Sequence, residues 1–292
     1  MANAPGTETL FVVNPTSGRG RAGEWAARAR SRLERSGSVV HVAAQTGEAA
    51  ELVRREPGRF VATWIFGGDG TLRDALQKLP ASAPPRFALF PTGTGNVVAH
   101  DVGVPRSFEG AWRVARGDTL RRFDLFRVNG VRAAYMVSAG LDAELAREVA
   151  AHRAGPMRRS DWVRAALRSG RFAREAPLRV VADGRDLGPA RYAALFNGTR
   201  YAGHFQVCPS ARFDDGRLEL LLLREPIRPR WLRVVWAALR HRPESLPDAT
   251  LLTVSSVELH DVACSQIDGD PGPTGRLKIE VEPAALLIHA PR

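Results

Sequence analysis

Residues Phe60–Leu72 read FVATWIFGGDGTL, and this stretch decides how the first part of the chain folds. The uncharged run Phe60–Phe66 predicts a buried β-strand. The glycine-rich pentapeptide Gly67–Thr71 follows it, and apolar residues at helical spacing begin at Leu72. This order predicts a phosphate site, because glycine tolerates positive φ and lets a ligand approach the backbone, and because the start of a helix offers free N–H groups. A plain strand-to-helix turn, which also favours glycine and aspartate, is the alternative.

The carboxylate of Asp69 lies in the same turn and is not suited to binding an anion. It therefore indicates a different task, which is either to hold a metal ion or to accept the proton of the group that attacks a phosphate.

Two further polar glycine loops follow predicted strands. Asn14–Gly20 (NPTSGRG) follows the apolar run Thr9–Val13, and Pro91–Asn96 (PTGTGN) follows Arg86–Phe90. Strands that alternate with helices predict a doubly wound parallel sheet, in which ligands bind beyond the carboxyl ends of the strands. Three such loops at one edge of a sheet predict a nucleotide-binding site.

Short runs of alternating apolar and polar residues dominate the sequence after about residue 121. Asn129-Gly130 and Asp183-Gly184 separate such runs and are typical of two-residue hairpin turns. This half predicts an antiparallel β-sandwich or a partly closed barrel. The sequence therefore divides into a nucleotide-binding α/β domain over residues 1–123 and a β-rich domain over residues 124–282.

Two helical stretches in the second half combine arginine with tryptophan. The first includes Arg158–Arg168 with Trp162, and the second, Arg230–Arg240, contains Trp231 and Trp236. Aromatic residues beside arginine on an amphipathic helix favour a membrane interface. Tryptophans packed into the core beneath a solvated basic face are the alternative.

Composition narrows the class of protein and its partners. A chain of 292 residues, 44% hydrophobic and 25% charged, is typical of a globular protein with two domains. The net charge of +11 favours nucleotides, phospholipid headgroups or nucleic acid, although a generic basic surface gives the same balance. The two cysteines, Cys208 and Cys264, are too few for a disulfide framework and indicate a reducing cytoplasm. We expect neither a membrane span nor a signal peptide, so a lipid substrate would be met at the membrane surface.

Several motifs in a fixed order resemble the diacylglycerol kinase catalytic-domain family, especially the soluble bacterial lipid kinases related to sphingosine kinases. The resemblance runs from Asn14 to about Pro291. Besides the glycine loops, it rests on AGLDA at 139–143, Asn197-Gly198, DDGRL at 214–218 and DGD at 268–270. It implies an NAD kinase- or diacylglycerol kinase-like α/β domain followed by a β-rich, sandwich-like lipid-substrate domain. It also implies that residues from about 283 to 292 return to the first domain.

The resemblance further implies roles for matching residues. Asp69 would lie near the transferred phosphate, and Asp268 and Asp270 would supply further carboxylates, with Asp270 as the base that deprotonates the lipid hydroxyl. Asp142 would lie on the lipid side, and Asp215 would belong to a Mg²⁺ site. The residues implied to bind ATP are Asn14, Ser17, Gly18, Gly67, Gly68, Gly70, Thr71, Gly93, Thr94 and Asn96.

Three positions depart from the family's pattern. Val97 stands where aspartate commonly follows the asparagine, and Asp74 and Asp270 stand where glutamate is usual. At Asp270 the shorter side chain reduces the reach of the implied base by about 1.5 Å.

The sequence as a whole predicts an ATP-dependent and Mg²⁺-dependent lipid kinase that transfers the γ-phosphoryl group to a diacylglycerol or sphingoid hydroxyl. We expect it in the cytoplasm, bound peripherally to anionic membranes. An NAD kinase-like enzyme and a non-catalytic lipid or nucleotide sensor are the alternatives; the long β-rich half and the absence of an Asn-Glu pair after the glycine-aspartate loop argue against the first. No recognisable nucleic-acid motif supports a nucleic-acid partner, and the sequence does not predict an oligomeric state.

Overall fold

The computed structural model describes residues 8–45, 47–56, 58–77, 86–152, 176–201, 205–240 and 242–292. The chain forms two compact units. The first runs to Phe123 and takes in Ala284–Arg292, and the second is Asp124–Pro283.

The first unit alternates strands and helices, as the sequence predicts. In chain order they are β1 (Glu8–Val13), α1 (Arg21–Glu34), β2 (Val40–Ala43), α2 (Glu48–Arg55), β3 (Phe60–Gly67), α3 (Asp69–Leu76), β4 (Arg86–Pro91), α4 (Val97–Val102) and α5 (Phe108–Ala115).

Strand β5 (Leu120–Val128) leads into the second unit, which is rich in strands. Its further described elements are β6 (Val131–Ala133), β7 (Met136–Ala139), α6 (Leu141–His152), β8 (Leu178–Ala182), β9 (Arg185–Ala190), β10 (Tyr192–Phe196), β11 (Arg200–Tyr201), β12 (Phe205–Gln206), β13 (Leu218–Leu223), α7 (Trp231–Leu239), β14 (Ala249–Val254), β15 (Ser256–Val262), β16 (Ser265–Ile267), β17 (Asp270–Pro271) and β18 (Gly275–His289).

The sheet of the first unit is parallel, with the order β2-β1-β3-β4. The end of β18 pairs in parallel with the start of β4, Leu287 opposite Arg86. Aromatic rings pack along this sheet: those of Phe66 and Phe90 stack with centroids 4.2 Å apart, and Trp64 meets Trp112 of α5 at 5.7 Å. Residues 63–67 of β3 are buried one after another, which explains why this part of the strand does not alternate between apolar and polar residues.

The second unit is a sandwich of antiparallel sheets. One sheet has the order β14-β13-β10-β7-β16-β17, and in the other β18 pairs with β15, β15 with β8 and β8 with β9. Buried side chains of both sheets share one core, with Val137 and Leu220 from the first and Val180, Leu259 and Ile279 from the second. The predicted fold class, an α/β domain followed by a β-sandwich, is therefore confirmed.

Two predicted hairpin turns are also confirmed. Asn129-Gly130 joins β5 to β6, and Asp183-Gly184 joins β8 to β9. All four residues have positive φ, between 45° and 87°, which is the requirement of a two-residue turn whose twist matches its strands.

An ion-pair cluster ties β5 and β6 to the chain at Glu282. Arg127 Nε donates to Glu282 Oε1 at 2.8 Å, and Arg132 Nε donates to Glu282 Oε2 at 2.7 Å. Burial opposes ionisation of Glu282, but the hydrogen bonds and charges of the two arginines outweigh it and hold the pKa of this carboxyl below its ordinary value of 4.5.

Across the ranges that the structure describes, no helix has both the length and the apolar composition needed to cross a membrane.

Candidate active site

Three loops lie at the carboxyl edge of neighbouring parallel strands in the first unit. They follow β1, β3 and β4. Backbone hydrogen bonds join them to one another's strands: Asn14 N donates to Phe66 O at 3.0 Å, and Thr92 N donates to Gly67 O at 3.0 Å. The fold thus brings together the three glycine loops that the sequence predicts at one edge.

Glycine is required in these loops because their backbones touch. A Cβ on Gly93 would lie 2.5 Å from the Gly68 Cα, and a Cβ on Gly18 would lie 2.5 Å from the Thr92 carbonyl oxygen. Gly18 has φ 62°, but Gly67, Gly68 and Gly93 do not have positive φ. In the central turn glycine is therefore needed for the close packing of the loops and not for a positive φ.

Asn96 holds the third loop in place. It adopts a left-handed conformation with φ 54°, and its Nδ2 donates to the Gly93 carbonyl at 2.6 Å. Its Oδ1 is buried and has no hydrogen-bond partner among the described residues. This oxygen faces the Gly68–Gly93 contact, 2.9 Å from where a Cβ on Gly93 would lie. A buried acceptor of this kind is expected to receive a donor from a ligand or a bound water.

Asp69 is the first residue of α3 and joins two of the loops. Its Oδ1 accepts a hydrogen bond from the Val98 N–H in the first turn of α4 at 3.3 Å, and its Oδ2 lies 2.9 Å from where a Cβ on Gly95 would be. With Asn96 and the apolar residues Ile65 and Leu72 it lines a small open cleft. A partly exposed carboxylate is thus fixed beside the loop contact.

The remaining predicted nucleotide residues lie around the same loops. Asn14 is exposed, and its Oδ1 accepts from the backbone N–H and the hydroxyl of Thr16 at 3.2 and 2.9 Å. Ser17 Oγ receives the hydroxyl hydrogen bond of buried Thr92 at 3.1 Å. Thr94 is exposed on the third loop. Gly70, in the first turn of α3, is also exposed, and a Cβ there would meet nothing within 4 Å.

The side chain of Thr71, unlike that of Thr94, lies directly against the backbone of the second loop. Its Oγ1 would be 2.3 Å from a Cβ on Gly67. Its side chain therefore packs on the loop backbone.

Arg106 is a residue near these loops that sequence reasoning missed. Its guanidinium donates to the Gly95 carbonyl at 3.2 Å. It lies outside every glycine motif, so no local signal singled it out.

The DGD motif of the second unit is a two-residue hairpin turn between β16 and β17. Asp268 and Gly269 have φ 49° and 89°. The two carboxylate oxygens of Asp268 accept the backbone N–H groups of three successive residues, 134–136, each at 2.9 Å. Asp270 pairs with Ile267 across the hairpin and is partly exposed. The two acids thus differ: Asp268 anchors backbone, whereas Asp270 stands at the start of β17.

Asp142 lies in the first turn of α6 and is 8% exposed. Its Oδ2 accepts hydrogen bonds from the hydroxyls of Ser138 at 2.7 Å and Tyr192 at 3.3 Å. Ser138 in turn accepts from Gln266. Sequence reasoning missed Ser138, Tyr192 and Gln266; the available signal was a polar residue inside a short apolar strand.

The DDG motif is a turn that precedes β13. Asp215 Oδ1 accepts from the Arg217 N–H at 3.0 Å, and Asp214 pairs with Arg212 at 3.3 Å. The Gly216 N–H donates to Asp124, a 2% exposed carboxylate that the sequence did not single out, at 2.6 Å. Within the described ranges no three His, Cys, Asp or Glu side chains gather as a metal site. The Mg²⁺ site at Asp215 stays a prediction.

Comparison with known proteins follows the division into two units. Residues 8–128 match the family model of the diacylglycerol kinase catalytic domain, and residues 135–290 match that of the YegS C-terminal NAD kinase beta sandwich-like domain. The chain belongs to the family that joins a diacylglycerol kinase catalytic domain to a YegS C-terminal domain. The membership predicted from the ordered motifs is therefore confirmed.

Two similar proteins match this chain over most of their own length. A diacylglycerol kinase of Mycobacterium tuberculosis is 28% identical over 296 residues, covering 96% of this chain and 94% of the relative. A probable lipid kinase, YegS-like, of Pseudomonas aeruginosa is 29% identical over 266 residues, covering 87% of this chain and 84% of the relative.

Two solved structures share the fold. A diacylglycerol kinase from Bacillus anthracis has a TM-score of 0.78 at 19% identity and covers 99% of both chains. Yeast NADH kinase complexed with NADH has a TM-score of 0.59 at 14% identity, covering 99% of this chain and 85% of its own. At these identities the likeness shows the fold alone.

Proposed function

We propose that this protein is an ATP-dependent lipid kinase that transfers the γ-phosphoryl group to the hydroxyl of a diacylglycerol or sphingoid lipid. The observation that carries the proposal is the packing of three glycine loops at one edge of a parallel sheet, with the unpartnered Asn96 Oδ1 facing their contact. The names of the similar proteins, a diacylglycerol kinase and probable lipid kinases, support a lipid as the acceptor.

The loops supply what phosphoryl transfer asks of a protein, namely positioning and charge stabilisation. Gly70 leaves open space above its backbone in the first turn of α3, where a phosphate can approach free N–H groups. Asn96 Oδ1 would accept a donor of the nucleotide or of a water bound to it.

Mg²⁺ would enter with ATP, since this ion is usually held by substrate phosphates and one or two carboxylates, and it would neutralise the phosphate charge. Asp69 is the carboxylate that the loops offer for it.

Two carboxylates are candidates to accept the proton of the lipid hydroxyl. Asp270 and Asp69 are both partly exposed. Asp268 is less suited, because its two oxygens already accept three backbone N–H groups.

We also infer that the protein works at the surface of an anionic membrane. On α7 the side chains of Leu232 and Trp236 are 65% and 57% exposed. Arg233 and Arg240 are exposed on the same helix, and the guanidinium of Arg240 lies 4.7 Å from the Trp236 ring centroid. Exposed apolar side chains beside arginine suit the interface of a bilayer. The predicted stretch with Trp162, and the side chain of Trp231, lie outside the described part of the structure.

A labelling assay tests the proposal. The purified protein is incubated with Mg²⁺ and γ-labelled radioactive ATP, with diacylglycerol, sphingosine or NAD as acceptor, beside an Asp69→Asn control. We expect labelled lipid from the wild type and at most about 1% as much from the variant. Labelled NADP without labelled lipid would instead identify an NAD kinase-like enzyme. ATP binding with no labelled product from any acceptor or from a total lipid extract would identify a non-catalytic sensor.

A further inference from the structure

A continuous hydrogen-bond chain runs through the second unit from the DGD turn to helix α6. The Gly269 N–H donates to Gln266 Oε1 at 2.7 Å. Gln266 Nε2 donates to Ser138 Oγ at 2.9 Å, and Ser138 Oγ donates to Asp142 Oδ2 at 2.7 Å. These contacts link a backbone group of the turn, through two side chains, to a buried carboxylate.

The direction of every bond in this chain is fixed by its two ends. A backbone N–H can only donate, so the Gln266 amide must present its oxygen to Gly269 and its nitrogen to Ser138. The Ser138 hydroxyl, which accepts from that nitrogen, then has its single proton available for Asp142. A carboxylate oxygen accepts it. No member can be turned around without leaving two donors or two acceptors face to face.

The side chains of this hydrogen-bond chain are shielded from water. Ser138, Gln266 and Asp142 are 0%, 3% and 8% exposed. In such surroundings a hydrogen bond ending on a charged group is stronger than one in water, and an unpaired group is unfavourable. The hydrogen bonds therefore hold these three side chains in one arrangement.

Strand pairing does not by itself require the Gln266 side chain. Backbone pairing places Gln266 opposite Ser138 and opposite Pro271. The side-chain oxygen acts one step further on, at the N–H of Gly269 in the turn. Asp268 anchors the other side of that turn to residues 134–136. Two sets of hydrogen bonds thus hold the turn, and Asp270 is the residue that directly follows it.

We propose that Gln266 is a positioning residue for the phosphoryl-transfer step. Gln266 fixes the hairpin turn, and the turn sets the direction of the Asp270 carboxylate. The side chain of Gln266 is itself held by Ser138 and Asp142. This inference rests on the proposed lipid kinase function and on Asp270 as the proton acceptor. In this inference the Asp142 carboxylate is also the final acceptor of the hydrogen-bond chain.

The test variant is Gln266→Met, which keeps the length of the side chain and removes both hydrogen bonds. We expect the single-turnover rate to fall about 10-fold to 100-fold, because small misplacement of a reacting group costs this much. The affinity for ATP should stay within about twofold, since Gln266 belongs to none of the loops that we propose to bind the nucleotide. In an Asp270→Asn background the same substitution should change the rate little, because both act through one carboxylate.

Thr253→Val serves as the matched control for loss of a hydrogen bond in this unit. Thr253 Oγ1 donates to Glu219 at 3.1 Å, and neither residue is a member of the hydrogen-bond chain. We expect this variant to melt at a lower temperature with its turnover unchanged. Should Gln266→Met not fold, Ser138→Ala carries the test, since it leaves the Gln266 amide without its acceptor.

Hydrogen exchange separates failure of this inference from failure of the proposed function. In Gln266→Met, the amides of residues 268–270 should exchange faster than in the wild type, whether or not the wild type phosphorylates a lipid. Unchanged exchange overturns the inference. Faster exchange with wild-type turnover also overturns it, because the contact is then structural only. A wild type that labels no lipid rejects the proposed function, and the kinetic role with it.

Discussion

Replacing Gly93 with alanine tests the loop contact on which the candidate nucleotide site depends. The new Cβ would lie 2.5 Å from the Gly68 Cα, whereas ordinary contact begins at 3.4 Å. The second and third loops must therefore separate by about 0.9 Å, and overpacking of this kind costs about 1 to 3 kcal/mol. For a unit of this size the melting temperature should fall by about 3 to 10 °C. Displacement of the second and third glycine loops by about 1 Å should lower turnover about 100-fold.

Gly70→Ala is the matched control, because a Cβ at this position meets nothing within 4 Å. Gly70 lies in α3 without positive φ, so alanine should stabilise the fold by about 0.4 to 1 kcal/mol. If a phosphate approaches this backbone, the methyl group occupies the same space. We then expect ATP to bind about tenfold more weakly, a loss of about 1.4 kcal/mol, in a protein that melts at a higher temperature.

Thermal melting, ATP titration and lipid phosphorylation, measured side by side on both variants, decide between these effects. A Gly93→Ala protein with the melting temperature and turnover of the wild type would refute the requirement for close loop packing. A Gly70→Ala protein that binds ATP normally would show that no ligand approaches the start of α3.

Four further predictions concern catalysis, the membrane and pH. Asp69→Asn should lower phosphoryl transfer by about 10² to 10⁴ while melting normally, since asparagine can still accept the Val98 N–H; a variant with more than half the wild-type rate would reject this role. Asp270→Asn should slow single turnover far more than it weakens ATP binding, and Asp270→Glu should be tolerated; normal turnover in the first variant would move the base role to Asp69. Binding to vesicles should rise with the anionic lipid fraction, fall with salt over a screening length of about 8 Å, and weaken when Leu232 and Trp236 are both replaced by serine; equal binding to neutral and anionic vesicles at low salt would contradict it. Because the Glu282 pKa is lowered in the folded state, its ion pairs stabilise the protein above pH 4.5 and are lost as the pH falls below that value; in Glu282→Gln the melting temperature should depend less on pH between 3 and 6, and an unchanged profile would exclude this contribution.

The sequence predicts the fold well because its signals are local. An uncharged run ending in glycine marks β3, and the alternation of strands with helices requires a parallel sheet whose loops share one edge. Asn129-Gly130 and Asp183-Gly184 adopt positive φ that few other residues tolerate, so the hairpins could be placed from dipeptides. The ordered motifs likewise predicted the family that the comparison shows.

Which group each site residue meets was decided only by the tertiary structure. The Asp268 carboxylate receives its three N–H groups from residues more than 130 positions away, and no pattern around Asp268 encodes that contact. The same holds for Gln266, whose partner Ser138 is 128 positions distant and lies opposite only because β16 pairs with β7 in one register.

The glycines show the division between the two levels most clearly. The sequence by itself determined that Gly68 and Gly93 lie in loops beyond strand ends, because a strand, a turn and a helix each have a local signature. Only the folded chain decided that these two backbones touch, and that Gly70 faces open space. Close packing depends on atoms that are neighbours in three dimensions rather than along the chain. Glycine is therefore needed at positions 68 and 93 because two backbones touch, whereas at position 70 it leaves space in which a ligand can approach.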